Sequence, residues 1–163
     1  MISQVLLPEF DVEIRNTRRT LERVPNKPDF VPHPKSAPLG KLASHIAELA
    51  GFGLSVLEKP QVEFSAGSYK PLAFESAAQL VRVLDEGAAQ VRRVLEATPD
   101  EAWGENWKLL FEGMPFFDGS RFLAYREMFL NHLVHHRAQL GVYLRLNGVP
   151  LPATYGPSAD EMT

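Results

Sequence analysis

The sequence predicts an all-α protein, a four-helix bundle in which a long crossing joins the first two helices. Four segments support this prediction, because their apolar residues recur at alternating three- and four-residue steps, as on one face of a helix. A proline-rich stretch over residues 25–38 separates the first two segments, and proline disrupts helix interiors. With 163 residues, the chain is expected to form a single domain over residues 1–163.

The first helix is predicted from a stripe of apolar and small residues near the start of the chain. The stripe consists of Leu7, Phe10, Ile14, Thr17, Leu21 and Val24. Charged residues off this stripe are expected to face solvent, namely Arg15, Arg18, Arg19 and Glu22. The crossing that follows is expected to be extended, and its His33 is interpreted as a loop residue because prolines flank it.

The second helix is predicted over about residues 39–57. It is apolar on most sides, which is typical of a central helix, and His45 lies on the surface that is expected to be buried. Residues 59–71 are expected to be irregular. The third helix is predicted to begin at Ser76, because Gln79 three residues later completes a capping-box pattern. It is predicted to end at the Thr-Pro-Asp sequence that follows.

Residues 101–119 are rich in large apolar side chains around Gly113 and Pro115, among them Trp103, Trp107, Leu109, Phe111, Phe116 and Phe117. They are expected to form a short turn or hairpin before the fourth helix, either as core packing or as a lid against the bundle. The fourth helix is predicted to begin near Ser120 and to end at Asn147 and Gly148, a typical C-terminal cap. One face of this helix carries Phe122, Tyr125, Phe129, His132, His136, Gln139 and Tyr143.

Three histidines on predicted inner faces indicate a metal site. The chain has no cysteine, which excludes disulfides, cysteine-ligated zinc, iron–sulfur clusters and thiol nucleophiles. His132 and His136 are four residues apart, so both imidazoles lie on the same side of a helix. Together with His45 they would form a site of three neutral imidazoles with open positions, as in catalytic metal centres. The alternative of three hydrogen-bonded core histidines stays open.

Four residues near these histidines have more than one interpretation. His135 lies three residues after His132, so helix geometry does not exclude it as a ligand, but it is expected to flank the pocket. Glu48 would orient an imidazole, act as a base or face solvent. Asn131 and Arg137 would support the site or face solvent. No catalytic residue is assigned.

Several functional classes are excluded by charge and by missing motifs. The net charge of −3 argues against a nucleic-acid-binding protein. The motifs of zinc proteases, di-iron bundles, serine hydrolases and nucleotide-binding proteins are missing. The first 15 residues are not expected to be a signal peptide, because acidic residues directly follow a short apolar run. The longest apolar stretch, residues 42–57, is too short to span a bilayer. We therefore expect no membrane partner and a cytoplasmic location.

A resemblance to a known family is strongest at the C-terminal end, in the stretch NHLVHHRAQLGVYLRLNGVPLPATYGPSADE. This stretch resembles the signature of the DinB/YfiT-like metalloenzyme family. The resemblance continues through LPEFDVEIRNTRRTLERVP and the helix with His45, so it covers essentially the whole chain. It implies a four-helix bundle that binds a divalent metal, nickel or zinc, through His45, His132 and His136. It also implies a small-molecule substrate and a homodimer.

The resemblance further implies a metal-dependent transferase that uses a low-molecular-weight thiol such as mycothiol, bacillithiol or glutathione. A metal ion with open positions lowers the pKa of a bound thiol, and a chain without cysteine suits a soluble thiol. Two alternatives stay open. One is a metal-assisted hydrolase. The other is a non-catalytic, stress-associated binding protein whose metal is structural.

Overall fold

Four helices make up most of the chain, as the apolar periodicity predicts. The computed structural model describes residues 1–162. The helices are α1 (Ile2–Leu21), α2 (Leu39–Glu58), α3 (Ala77–Ala97) and α4, which is continuous over residues 121–146. Helix α4 has three parts: an α-helical turn (Arg121–Ala124), a π-helical segment (Tyr125–Asn131) and a long α-helical part (His132–Leu146). The crossing over residues 22–38 contains turns but neither helix nor strand.

A small sheet accompanies the helices, so the protein is mostly helical but not purely all-α as predicted. Its strands are β1 (Gln61–Phe64), β2 (Asn106–Phe111) and β3 (Met114–Ser120), in the order β1-β2-β3. The hairpin of β2 and β3 confirms the turn predicted before the fourth helix. Strand β1 lies in the segment expected to be irregular. It pairs in parallel with β2, about 45 positions later, with Val62 opposite Leu109. The four residues of β1 are too few, and their partner strand too distant in the sequence, for a strand to be predicted from local spacing.

Helix α2 lies against the other helices and is buried on most sides, as predicted. Its packing against α4 depends on Gly53, because a Cβ atom there would lie 2.7 Å from the ring of Phe129. That separation is shorter than any ordinary van der Waals contact. A glycine at this position therefore lets the backbone of α2 approach α4 closely, and His45 lies two turns earlier on the same helix.

The buried face of α1 matches the predicted stripe in part, since Phe10, Thr17, Leu21 and Val24 are buried. Leu7 and Ile14 are only half-buried, whereas several polar residues are buried beside Leu6 and Phe10. These polar residues are Ser3, Glu13, Asn16, Thr17 and Thr20. Apolar periodicity missed the polar part of this face, because the buried Glu13 is turned towards Arg137 of α4.

The predicted helix ends are confirmed by their capping contacts. The Oγ atom of Ser76 accepts a hydrogen bond from the backbone N–H of Gln79 at 3.1 Å, as a capping box requires. At the end of α4, Gly148 has a φ of +72°, the left-handed conformation that glycine adopts after a helix. None of the helices within residues 1–162 combines the length and apolar character needed to cross a bilayer.

Candidate metal centre

The structure brings His45, His132 and His136 together between α2 and α4. The Nε2 atoms of His132 and His136 are 2.7 Å apart, and those of His45 and His132 are 3.3 Å apart. One ring nitrogen from each of the three residues lies within 4.8 Å of the others. Metal–nitrogen bonds of about 2.0–2.1 Å at a tetrahedral angle place two nitrogens about 3.3–3.4 Å apart. The spacing of His45 and His132 matches that value, and a small ring rotation would open the shorter contact. These residues therefore fit a metal ion.

The outer ring nitrogens of the two α4 histidines already have partners. Nδ1 of His132 lies 3.2 Å from the carbonyl oxygen of Met128, and Nδ1 of His136 lies 2.7 Å from Oε1 of Gln139. An oxygen beside Nδ1 favours the tautomer that carries its proton there. The Nε2 lone pair then points to the other imidazoles, which is the arrangement that orients histidine ligands in metal proteins. The sequence placed Gln139 on this face of the helix without indicating its role.

The electrostatics of the cluster keep its imidazoles neutral at pH 7. Burial, together with the neighbouring His136 and His132 rings, lowers the pKa of His45 to about 4. Burial also lowers the pKa of both His132 and His136, although the bond to Gln139 opposes this for His136. Neutral imidazoles carry the lone pair that a metal ion needs, so no proton has to be displaced first.

The π-helical segment Tyr125–Asn131 ends directly before His132. Such segments add one residue to a helical turn and are frequent at functional sites. Here Tyr125 and Phe129 are buried in the core, while Met128 and Asn131 face the space beside the histidines. The segment therefore changes the direction of the side chains directly before the metal-site histidines begin. The sequence pattern does not reveal this change of register.

The remaining candidates take other positions. His135 is exposed and lines the cleft beside the site, but its ring nitrogens are not part of the three-histidine group. Asn131 is exposed at the same cleft. Glu48 accepts hydrogen bonds from the hydroxyl of Tyr69 at 2.6 Å and from the backbone N–H of Leu72 at 3.1 Å. Glu48 therefore anchors the segment that follows β1.

Two further residues lie away from the site. Arg137 is buried with 5% of its side chain exposed, and it forms an ion pair with Glu13 of α1 instead of facing solvent. His33 is exposed in the crossing, where its ring accepts a hydrogen bond from the backbone of Lys35, as the loop interpretation predicts.

A cleft of about 1250 Å³ opens beside the histidines. Helices α2 and α4 form two of its walls and the three-stranded sheet forms the third, with His45, His132 and His135 at its edge. A small molecule in this cleft would reach the imidazoles directly.

Comparison with known proteins identifies the family. The model of the DinB superfamily matches residues 9–140. No functionally curated protein matches the chain significantly.

Two solved structures share the fold. A DinB-like protein from Bacillus subtilis has a TM-score of 0.66 at 17% identity, over 91% of this chain and 95% of that one. A DinB-like protein from Bacillus cereus ATCC 10987 has the same TM-score and coverage at 18% identity. At these identities the structural likeness shows the fold alone. The family match over most of its length, however, means that this chain belongs to the DinB superfamily.

Proposed function

We propose that the protein binds one divalent metal ion through His45, His132 and His136 and acts as a metal-dependent enzyme on a small molecule. The observation that supports this is the convergence of three neutral imidazoles, two of which, those of His45 and His132, line an open cleft. Structural zinc sites are closed by four protein ligands, whereas catalytic sites keep a position open. Within residues 1–162, no carboxylate belongs to the three-histidine group.

We further propose that the ion is nickel or zinc and that the second reactant is a low-molecular-weight thiol. A divalent ion supplies a Lewis acid that lowers the pKa of a thiol or water molecule beside it. The residues of this chain hold the site in shape: Met128 and Gln139 orient the two α4 imidazoles, and the cleft admits the reactants. The chain contributes no cysteine, so a thiol would have to come from solution. The DinB resemblance favours thiol transfer over hydrolysis.

Replacing His132 by alanine is expected to remove the metal. Its Nε2 atom contacts both other histidines, so the variant leaves only two imidazoles to hold an ion. Elemental mass spectrometry of protein purified without chelators is expected to find about one ion per wild-type chain and close to none in the variant. His135→Ala is the matched control, because this histidine lies on the same helix outside the group. Wild-type protein that binds neither zinc nor nickel on reconstitution would contradict the proposed metal site.

Metal-loaded protein is expected to accelerate conjugation of glutathione to an electrophile such as 1-chloro-2,4-dinitrobenzene. The expected rate exceeds that without protein by at least about tenfold, and His132→Ala abolishes the difference. Absorbance of the conjugate measures the reaction, and mycothiol and bacillithiol replace glutathione in parallel assays. Ester hydrolysis without any thiol would favour the hydrolase instead. No turnover by the loaded protein, together with a sharp loss of stability on metal removal, would favour a structural metal.

A further inference from the structure

The cleft beside the histidines is long and follows α2 along most of its length. Residues that line it recur on one face of α2, from His45 through Leu49, Phe52 and Ser55 to Lys59. At 1.5 Å per residue, the distance from the first to the last of these positions is about 21 Å. The histidines therefore lie at one end of an elongated channel, and its middle is formed by apolar side chains.

The sheet provides the opposite wall through one of its faces. Val62 and Phe64 of β1 pair in register with Leu109 and Phe111 of β2, and all four line the cleft. Residues at alternate positions of a strand share a face, so these side chains form a continuous apolar surface. Phe116 of β3 extends it. Phe111 and Phe116 are 53% and 75% exposed, which is unusual for neighbouring aromatic residues on one surface.

The charged groups of the cleft are few and do not suit an anionic ligand. Apart from the histidines, the acidic and basic residues that line the cleft within residues 1–162 are Glu48, Lys59 and Glu127, with one positive and two negative charges. Recognition of phosphate or of several carboxylates normally uses arginine or clustered lysine side chains. The carboxylate of Glu48 is in addition already bonded to Tyr69 and to the backbone of Leu72.

The segment after β1 closes one side of the cleft. Ser65, Ala66 and Gly67 line it together with Tyr69. This segment is held at two points, by the bond from Tyr69 to Glu48 at 2.6 Å and by the backbone bond from Ala66 to the carboxylate of Glu112 at 2.5 Å. One of these anchors belongs to α2 and the other to the β2–β3 turn, so the segment joins two walls of the open cleft.

We propose that this cleft binds an elongated, uncharged apolar compound whose chain lies along the face of the sheet and whose polar end lies at the histidines. Its volume of about 1250 Å³ exceeds that of most single-ligand pockets, which span about 300–1000 Å³. The excess leaves room for a second, small reactant at the histidine end. The chemistry at that end rests on the proposed metal site, whereas binding of the apolar chain depends on the sheet and α2.

A series of straight-chain primary alcohols from hexanol to decanol tests this proposal on the wild-type protein. Each added methylene group is expected to tighten binding by about fourfold, the factor that corresponds to about 0.8 kcal/mol per buried methylene. Isothermal titration calorimetry measures the affinity and stoichiometry, and saturation is expected. Binding that does not saturate, or an affinity that is independent of chain length, would overturn the proposal.

Replacing both Phe111 and Phe116 by serine tests whether the face of the sheet binds the apolar chain. Both side chains are exposed, so the double variant is expected to remain folded, and its affinity for decanol is expected to fall by at least about tenfold. Phe122→Ser is the matched control, because Phe122 is also partly exposed but lies outside the cleft. Equal affinity of the double variant and the control would place the ligand elsewhere and overturn the assignment.

The alcohol series also separates this proposal from that of the metal site. His132→Ala is expected to lose the metal but to keep the dependence of affinity on chain length. A wild-type protein that binds the alcohols without binding a metal would contradict the proposed function and leave the apolar cleft supported. A protein that binds one metal ion but no alcohol would support the proposed metal site and contradict the apolar cleft.

Discussion

Replacing Arg137 by leucine is expected to lower the free energy of unfolding by about 3–5 kcal/mol, the usual cost of removing one partner of a buried ion pair. The guanidinium of Arg137 lies 2.7 Å from the carboxylate of Glu13, and the two side chains are only 5% and 8% exposed. Without Arg137, the carboxylate of Glu13 remains buried and retains only the hydroxyl of Tyr155 as a side-chain partner.

The pair also connects three parts of the chain. Arg137 of α4 donates to the backbone carbonyl of Glu13 at 3.1 Å and to Oγ1 of Thr17 at 3.2 Å, both on α1. It also donates to the hydroxyl of Tyr155 in the C-terminal segment and lies 5.4 Å from the centre of that ring. Since Arg137 directly follows His136, these contacts help to set the rotation of α4 that directs the histidines towards α2.

Urea denaturation of the single and double variants measures this effect. Arg126→Leu is the matched control, because Arg126 pairs with Glu9 across the same two helices but is about one-third exposed. Exposed pairs contribute at most about 1 kcal/mol, so a small loss is expected there. Leucine at both Glu13 and Arg137 is expected to restore most of the stability, because no unpaired charge then remains buried. A loss at Arg137 no larger than at Arg126 would contradict the prediction.

Replacing Arg121 by methionine is expected to cost about 3 kcal/mol or more, because it leaves several carbonyl groups without a donor. Its Nη1 atom donates to the carbonyl oxygens of Val56 at 2.5 Å, of Leu57 at 3.0 Å and of Lys59 at 3.0 Å. These groups lie at the C-terminal end of α2, where carbonyls lack partners within the helix and a cation is favourable. The side chain of Arg121 is 7% exposed, so water does not readily replace it.

The ion pair between Arg121 and Glu105 provides the control. Glu105 is 60% exposed, so Glu105→Gln is expected to cost less than about 1 kcal/mol. Arg121→Lys is expected to recover only part of the loss, because a lysine lacks the separate Nε and Nη2 donors that contact the carbonyl oxygen of Ala102 and the carboxylate of Glu105. Chemical denaturation of the three variants measures the differences. A similar cost for Glu105→Gln and Arg121→Met would show that the ion pair matters more than the carbonyls.

Features that depend on residues close in the chain were predicted from the sequence. The four helices, the cap at Ser76 and the left-handed glycine at Gly148 follow from local spacing and from backbone chemistry. His132 and His136 are one helical turn apart, so their shared orientation is also local. Their approach to His45 was predicted because that histidine lies on a helix that is apolar on most sides.

Features that depend on distant partners were missed. The parallel pairing of β1 with β2 joins segments about 45 positions apart, so a short strand at Val62 had no local signal. The burial of Glu13 on α1 was missed because this residue is polar, and its burial depends on Arg137, more than 120 positions later. Nothing in the sequence indicated that Arg121 would cover the end of α2.

The sequence by itself therefore determined the family, the helical elements and the three histidines, because each of these is written in local spacing or in a motif. Only the tertiary structure decided the wall of the cleft, the buried Glu13–Arg137 pair and the oxygen partners of His132 and His136. The physical reason is that a charged or polar side chain, which by itself favours solvent, is stable in the interior once a partner is present. Packing between different helices and strands brings that partner close, and the apolar periodicity of a single element does not predict such packing.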